Sequence, residues 1–257
     1  MKLHKLIFQT LIFLLPTQLA LHFWPDWAFV SGIRVDYLAP TIYLTDILLF
    51  LLISLWLIED RSLSEFNKIK RGVKYVLVGL IFFGLVNILT SSAALLSLYK
   101  WIKVLEFLAF SFYIYVNYKE LLELLRTPLS FAIIYSALIA IMQFLLQRTI
   151  GGLFYLLGER SFTSLTPGIA LFNFFGKALL RPYGTFGHPN ALGGFLLVAV
   201  FMLLVQRKNL LNWIAICLGS IVLFLTFSQN VSFAFFAGVI LLLLRNKKEW
   251  GRVKNIT

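Results

Sequence analysis

Residues 75–92 read "YVLVGLIFFGLVNILTSS", eighteen consecutive positions without a charged side chain. A bilayer core takes about 20 apolar residues per helix, so this run predicts a membrane span. Seven further largely apolar stretches lie near 6–23, 41–58, 100–116, 128–147, 190–205, 210–227 and 230–244. The first follows Lys2 and Lys5, as a secretory signal would. Large residues come after it and no small-x-small cleavage site is evident, so it reads as a span.

Composition agrees with that class. Of 257 residues, 60% are hydrophobic and 13% charged, whereas a soluble domain runs near half apolar and about a quarter charged. The expected fold is all-α: one polytopic membrane bundle over 1–257 with about eight transmembrane helices. The net charge of +12 is read as topological, and no nucleic-acid partner is needed to explain it. With the N-terminus inside, sixteen lysines and arginines fall in inner segments and seven in outer ones. That asymmetry places both termini in the cytoplasm. The single cysteine, Cys217, permits neither a disulfide nor a cysteine-based metal site.

On this topology residues 148–189 form the longest outer segment. Its "LFYLL" and "IALFNFF" runs are too apolar for a solvated linker. They predict short interfacial helices joined by turns at Gly158 and at Pro167-Gly168. The segment closes with "RPYGTFGHPNALGGFLLVAV", 181–200. Here Asn190 is expected to N-cap the sixth span. Gly193 and Gly194 let another helix or a lipid chain come close, and Gly184 and Gly187 permit tight turns. Arg181 and His188 are left at the outer boundary, where an anionic lipid headgroup would lie.

These residues carry a resemblance. "GLFYLLGERSF…TPGIA…LRPYGTFGHPNALGGFL" is similar to the segment before the middle spans of the O-antigen ligase family, which includes O-antigen polymerases. "YLTDILLFLL" (43–52), "SLYKWIKVLEFLAF" (97–110) and "LTFSQNVSFAFFAG" (225–238) resemble further stretches of it. The resemblance implies a GT-C-like, metal-independent glycosyltransferase of the bacterial inner membrane, without a cofactor. Its partner would be an undecaprenyl-diphosphate-linked glycan, transferred to a second acceptor in lipopolysaccharide or other polysaccharide biosynthesis.

The chemistry asks for cations aimed at a leaving diphosphate, and a guanidinium fork meets phosphate oxygens in pairs. Arg148, Arg160 and Arg181 are the outer forks, with Lys177 beside them. Arg181 is the leading candidate, either for phosphate or as an interfacial anchor. Asn190 and Arg160 accompany it as binding residues. His188 has a reference pKa near 6.5 and suits acid–base work, or else a hydrogen bond that fixes the outer lip; the family's catalytic histidine belongs to a later loop. His22, beside Trp24 and Trp27, reads as interfacial, and His4 lies at the inner end. Lys103 and Glu106 are spaced to pair on one helix face. With Asp46 they either orient Lys103 toward a phosphate or pin two helices as a structural ion pair. No histidine or acidic grouping suits a metal.

Two departures from the family stand out. Ser228-Gln229 replaces its usual Ser-Arg. The sequence also ends at Thr257, before the large outer loop that would hold the catalytic histidine and a second arginine. One expectation is a ligase-like enzyme completed by a separately encoded C-terminal half. The alternative is a non-catalytic transporter or assembly partner that binds a polyprenyl-linked glycan.

Overall fold

Leu129, Ala132, Ile133, Ser136, Ala137, Ala140 and Gln143 are buried at spacings of three and four along 126–146. That period puts them on one helical face. It sets the pattern for a computed structural model that is 69% helical with few strands and that describes residues 2–60, 70–206 and 209–254. No side chain is described in 245–254. Eight α-helices lie in the described residues: α1 Leu3–Leu14, α2 Leu44–Asp60, α3 Arg71–Thr90, α4 Ala94–Leu124, α5 Arg126–Leu146, α6 Pro189–Leu204, α7 Leu210–Leu225 and α8 Gln229–Lys254. Each expected span has a helix. Among the described residues, however, only α3 and α5 are both long and apolar enough to cross a membrane. The first span is shorter than expected because Pro16 has no N–H to continue the helix, and Ala20–His22 turns into a strand. Arg61, Lys68, Arg207 and Lys208, assigned to inner segments, lie outside the described residues.

The chain divides into two compact units, Met1–Ile12 with Leu19–Leu125, and Phe13–Gln18 with Arg126–Thr257. The first unit holds two small antiparallel pairs. Strand β1 (Ala20–His22) pairs with β4 (Thr41–Tyr43), and β2 (Phe29–Val30) with β3 (Ile33–Arg34). Its aromatic core gathers on Tyr113, whose ring lies 5.2 Å from Trp56 and 6.0 Å from Phe8. The Tyr113 hydroxyl is 3.0 Å from His4 Nδ1. Glu59, near the end of α2, accepts the Leu3 and His4 amides at 3.0 and 3.2 Å. A carboxylate from one helix thereby satisfies orphan donors at the head of another. Gly84 is the only buried residue of α3, and it sits against the Trp101 ring.

The second unit is built on α5, α6 and α7. Leu192, Leu196, Val200 and Leu203 of α6 and Ala215, Val222 and Leu223 of α7 are buried with the α5 face. Gly219 stands where the three helices meet. A Cβ there would come within 2.8 Å of Ile133 and 2.9 Å of Val200. Gly193 plays a milder version of this part, with Thr226 and Val231 at 3.1 Å from its absent Cβ. Gly194, by contrast, faces open space.

Residues 148–188 correct one expectation. A 3₁₀ turn over Gly152–Leu157 does end at Gly158, and Gly168 turns with φ +78°. The second apolar run is not a helix but an antiparallel hairpin, β5 (Leu171–Phe174) with β6 (Lys177–Leu180). In these strands successive side chains alternate between two faces instead of following the 3.6-residue helical period. Phe175 and Gly176, both at positive φ, supply the two left-handed positions of a primed turn. A phenylalanine in that region is strained by about 1 kcal/mol or more.

Overpacking a filled core costs about 1–3 kcal/mol. Gly219→Ala is therefore expected to lower the thermal midpoint of the purified protein, and Gly194→Ala to leave it unchanged or slightly raised. Equal midpoints for the two variants would contradict the three-helix junction.

Candidate functional site

The site residues are presented by a stretch that one buried amide holds in place. Gln143, fully buried on α5, donates to Glu159 Oε1 and to the Gly184 carbonyl, both at 2.8 Å. Its oxygen accepts the amides of Tyr183 at 3.0 Å and Gly184 at 2.8 Å. All four hydrogen-bonding positions of the side chain are filled. Glu159, 3% exposed, accepts the amides of Ile150 and Gly151 at 2.8 and 2.7 Å. A buried carboxylate is tolerable when it is hydrogen-bonded in this way. Gln147 adds the Leu180 amide at 2.7 Å, and Thr185 donates to the Pro16 carbonyl. Leu180 and Tyr183 pack with Phe162 beneath.

Arg181 emerges from this platform. Its Nε donates to the Thr226 carbonyl at 2.6 Å, and its Nη2 to Asn190 Oδ1 at 2.6 Å. Thr226 is the residue after α7, so the cation meets a carbonyl at a helix C-terminus, where the dipole favours it. Partial burial holds the guanidinium somewhat below its ordinary pKa. The described contacts use two of its five N–H groups, which leaves Nη1 and one Nη2 hydrogen to meet an anion in the paired geometry a phosphate offers.

His188, not Asn190, caps α6. Its Nδ1 accepts the Asn190 amide at 3.1 Å, with Pro189 at the first helical position. This corrects the expected cap and frees the Asn190 side chain to orient Arg181. The cap also fixes the imidazole. With Nδ1 accepting, the neutral ring carries its proton on Nε2, so it can donate to an anion but cannot take a proton there. Burial, with the charge of Arg181, depresses the His188 pKa below 6.5.

Arg160 is exposed and donates to the Gly187 carbonyl at 3.4 Å, supporting the turn before His188. Lys177 lies at the far end of β6. Arg181 follows it by four positions, about 13 Å of extended chain at 3.3 Å per residue. Arg148 takes part in an isolated bridge with Thr163. Lys103 belongs to the first unit, where its ammonium pairs with Asp46 and lies 3.4 Å from Glu106. Tyr43 and Tyr99 cover it at 5.8 and 5.6 Å. The pairing with Asp46 fits a structural ion pair better than a free phosphate ligand. Gln229 opens α8. Just before it, Phe227, at φ +48°, stacks on Phe172 at 4.0 Å.

No protein-family model, curated protein or solved structure matches this chain.

An N-cap contributes about 1 kcal/mol, and a protonated His188 has no lone pair at Nδ1 to provide it. Because the folded state lowers this pKa, the cap's stability is complete above pH 6.5 and is lost as pH falls below that value. Thermal midpoints measured from pH 8 to pH 5 are expected to fall less for His188→Asn, whose amide caps at every pH, than for the parent. Parallel curves would show that His188 does not cap through Nδ1.

Proposed function

We propose that this chain is a polytopic membrane protein of the bacterial inner membrane, with cytoplasmic termini, that binds an undecaprenyl-diphosphate-linked glycan in cell-surface polysaccharide assembly. In this reading it is the lipid-phosphate-binding part of an O-antigen ligase-like glycosyltransferase. The observation that carries the proposal is the Arg181 fork, oriented by Asn190 and Thr226 and flanked by a neutral His188 whose Nε2–H is a second donor. A diphosphate asks for donors of this kind, and a site that needs no metal asks for fixed ones.

Two features support the membrane part. Helix α3 carries no charge from Tyr75 to its end at Thr90 and buries only Gly84, a pattern that water does not favour and lipid does. An open groove of about 450 Å³ between α6 and α8 is lined by apolar residues, among them Leu197, Phe201, Met202, Ala234 and Leu242. Leu197 lies seven residues from Asn190, about 10 Å along the helix at 1.5 Å per residue. An isoprenoid chain whose headgroup sits at Arg181 would find an apolar wall there.

A specific observation favours the non-catalytic alternative for the isolated chain. The tautomer that caps α6 withholds Nδ1 and protonates Nε2, so His188 is not poised as a general base for an acceptor hydroxyl. In the enzyme reading that base is a group other than His188. In the alternative, the chain binds or conducts the glycan and transfers nothing.

The binding test uses purified protein in nanodiscs and a fluorescent undecaprenyl diphosphate glycan. Charge-assisted hydrogen bonds are worth about 1.5–3 kcal/mol, so Arg181→Ala is expected to weaken binding by about tenfold or more. Arg181→Lys, a charge without a fork, should fall between that variant and the parent. Arg34→Ala, which removes a cation resting on Trp24, should bind as the parent does. Equal losses for Arg181→Ala and Arg34→Ala would reduce Arg181 to an anchor for the α7–α8 junction.

A further inference from the structure

The hairpin of β5 and β6 does more than support Arg181. One of its faces is packed: Leu180 joins the Phe162–Tyr183 cluster. The opposite face carries Phe172 and Phe174 of β5, opposite Leu179 and Lys177 of β6. Phe172 stacks on Phe227, which anchors the base of this aromatic row. From there the rings run outward, Phe172 to Phe174 at 6.3 Å and Phe174 to Phe175 at 4.6 Å. Phe174 is 51% exposed and Phe175 92%. Asn173 Oδ1 accepts the Gly176 amide at 3.0 Å, so the turn is held rather than loose. At the first left-handed position, where asparagine, aspartate or glycine is the ordinary choice, this chain places a phenylalanine whose ring is the most exposed among the described residues. Such a choice weakens the turn, and apart from its contact with Phe174 the ring is left open to the surroundings.

We infer that the tip of this hairpin, Phe174, Phe175 and Lys177, is an interfacial anchor that inserts into the headgroup boundary of an anionic lipid leaflet. The inference rests on the membrane reading of α5 given above. The hairpin belongs to the connection between α5 and α6, and α5 is one of the two helices among the described residues that are apolar and long enough to cross a membrane. The connection therefore leaves and re-enters at the bilayer surface. Its charges complement an anionic leaflet. Arg148, Arg160, Lys177 and Arg181 are cationic, while the one acid, Glu159, is buried and hydrogen-bonded to Gln143 and two backbone amides. Aromatic rings beside a lysine are the composition of membrane-interface segments, the rings reaching the acyl boundary and the ammonium meeting phosphate. Anchoring the tip would also steady the far end of the strand that leads to Arg181.

The test labels single cysteines with an environment-sensitive fluorophore in a Cys217→Ser background. Phe175→Cys and Phe174→Cys report the tip, and Leu138→Cys, an exposed position on α5, reports the span. The full chain is placed in nanodiscs of phosphatidylglycerol and phosphatidylcholine, with or without doxyl-labelled lipid. The expected result is blue-shifted emission and lipid quenching at both tip positions. That quenching should fall when Lys177→Glu is added or when phosphatidylglycerol is omitted. If Leu138 is quenched but the tip labels emit as in water, the tip is not an anchor and the membrane reading stands. If the tip labels are blue-shifted without lipid quenching, a protein surface covers them and the inference is overturned. If Leu138 is not quenched either, the membrane reading of α5 falls, and the anchor falls with it.

Discussion

A glutamine amide buried on an apolar helix decides how residues 148–188 are arranged. Gln143 has no water to turn to, so its two donors and two acceptor sites must find partners within the protein. They find Glu159, Tyr183 and Gly184. The energetic asymmetry matters more than the bonds themselves. Each bond adds about 1 kcal/mol, but a buried group left without its partner costs about 1–3 kcal/mol. Two distant pieces of the connection are thus tied to one point of α5, and neither can shift without orphaning the other's polar groups. The buried Glu159 strengthens the tie, since its charge is acceptable only while Gln143 and the amides of Ile150 and Gly151 surround it.

Arg181 inherits its position from that tie. Residues 183 and 184 are fixed on α5, and Leu180 is fixed through Gln147. The residue between these points has little freedom, and its guanidinium is oriented twice more, by a carbonyl at the end of α7 and by the side chain of Asn190. A cation held by three helices loses little entropy when an anion arrives, which is the condition for a preorganised electrostatic site. His188 completes the arrangement by capping α6 with a ring that lies edge-on to Tyr183. The cap engages Nδ1, so the neutral ring keeps its proton on Nε2 and offers a donor rather than a base.

The helices were legible in the sequence because each carries a long apolar run, and the turn glycines at 158 and 168 were legible because they punctuate such runs. Their ability to span was less so, since an apolar helix of sixteen residues and one of twenty differ little in composition. The hairpin was missed because "IALFNFF" is apolar at nearly every position, and a short apolar run does not distinguish period two from 3.6. The Phe175-Gly176 pair was the available signal, and phenylalanine there disguised it. Arg181, His188 and Asn190 were recognised as neighbours, but the division of labour between the last two was reversed, since both side chains can accept an amide at a helix start. Neither Gln143 nor Glu159 was assigned this part, the glutamate counting only as a lone outer acid unsuited to a metal. A glutamine within an apolar helix was the signal for the first. Nothing local marked the second, because a lone glutamate in a loop reads as solvated until its partners are known.

Amide hydrogen exchange tests the central claim most directly. If Gln143 holds the stretch before α6, the Tyr183 and Gly184 amides should exchange as slowly as amides within α5, and Gln143→Leu should bring them to the rate of the exposed turn at 165–168. Rapid exchange of both amides in the parent protein would contradict the account, for Arg181 would then stand on an untethered loop.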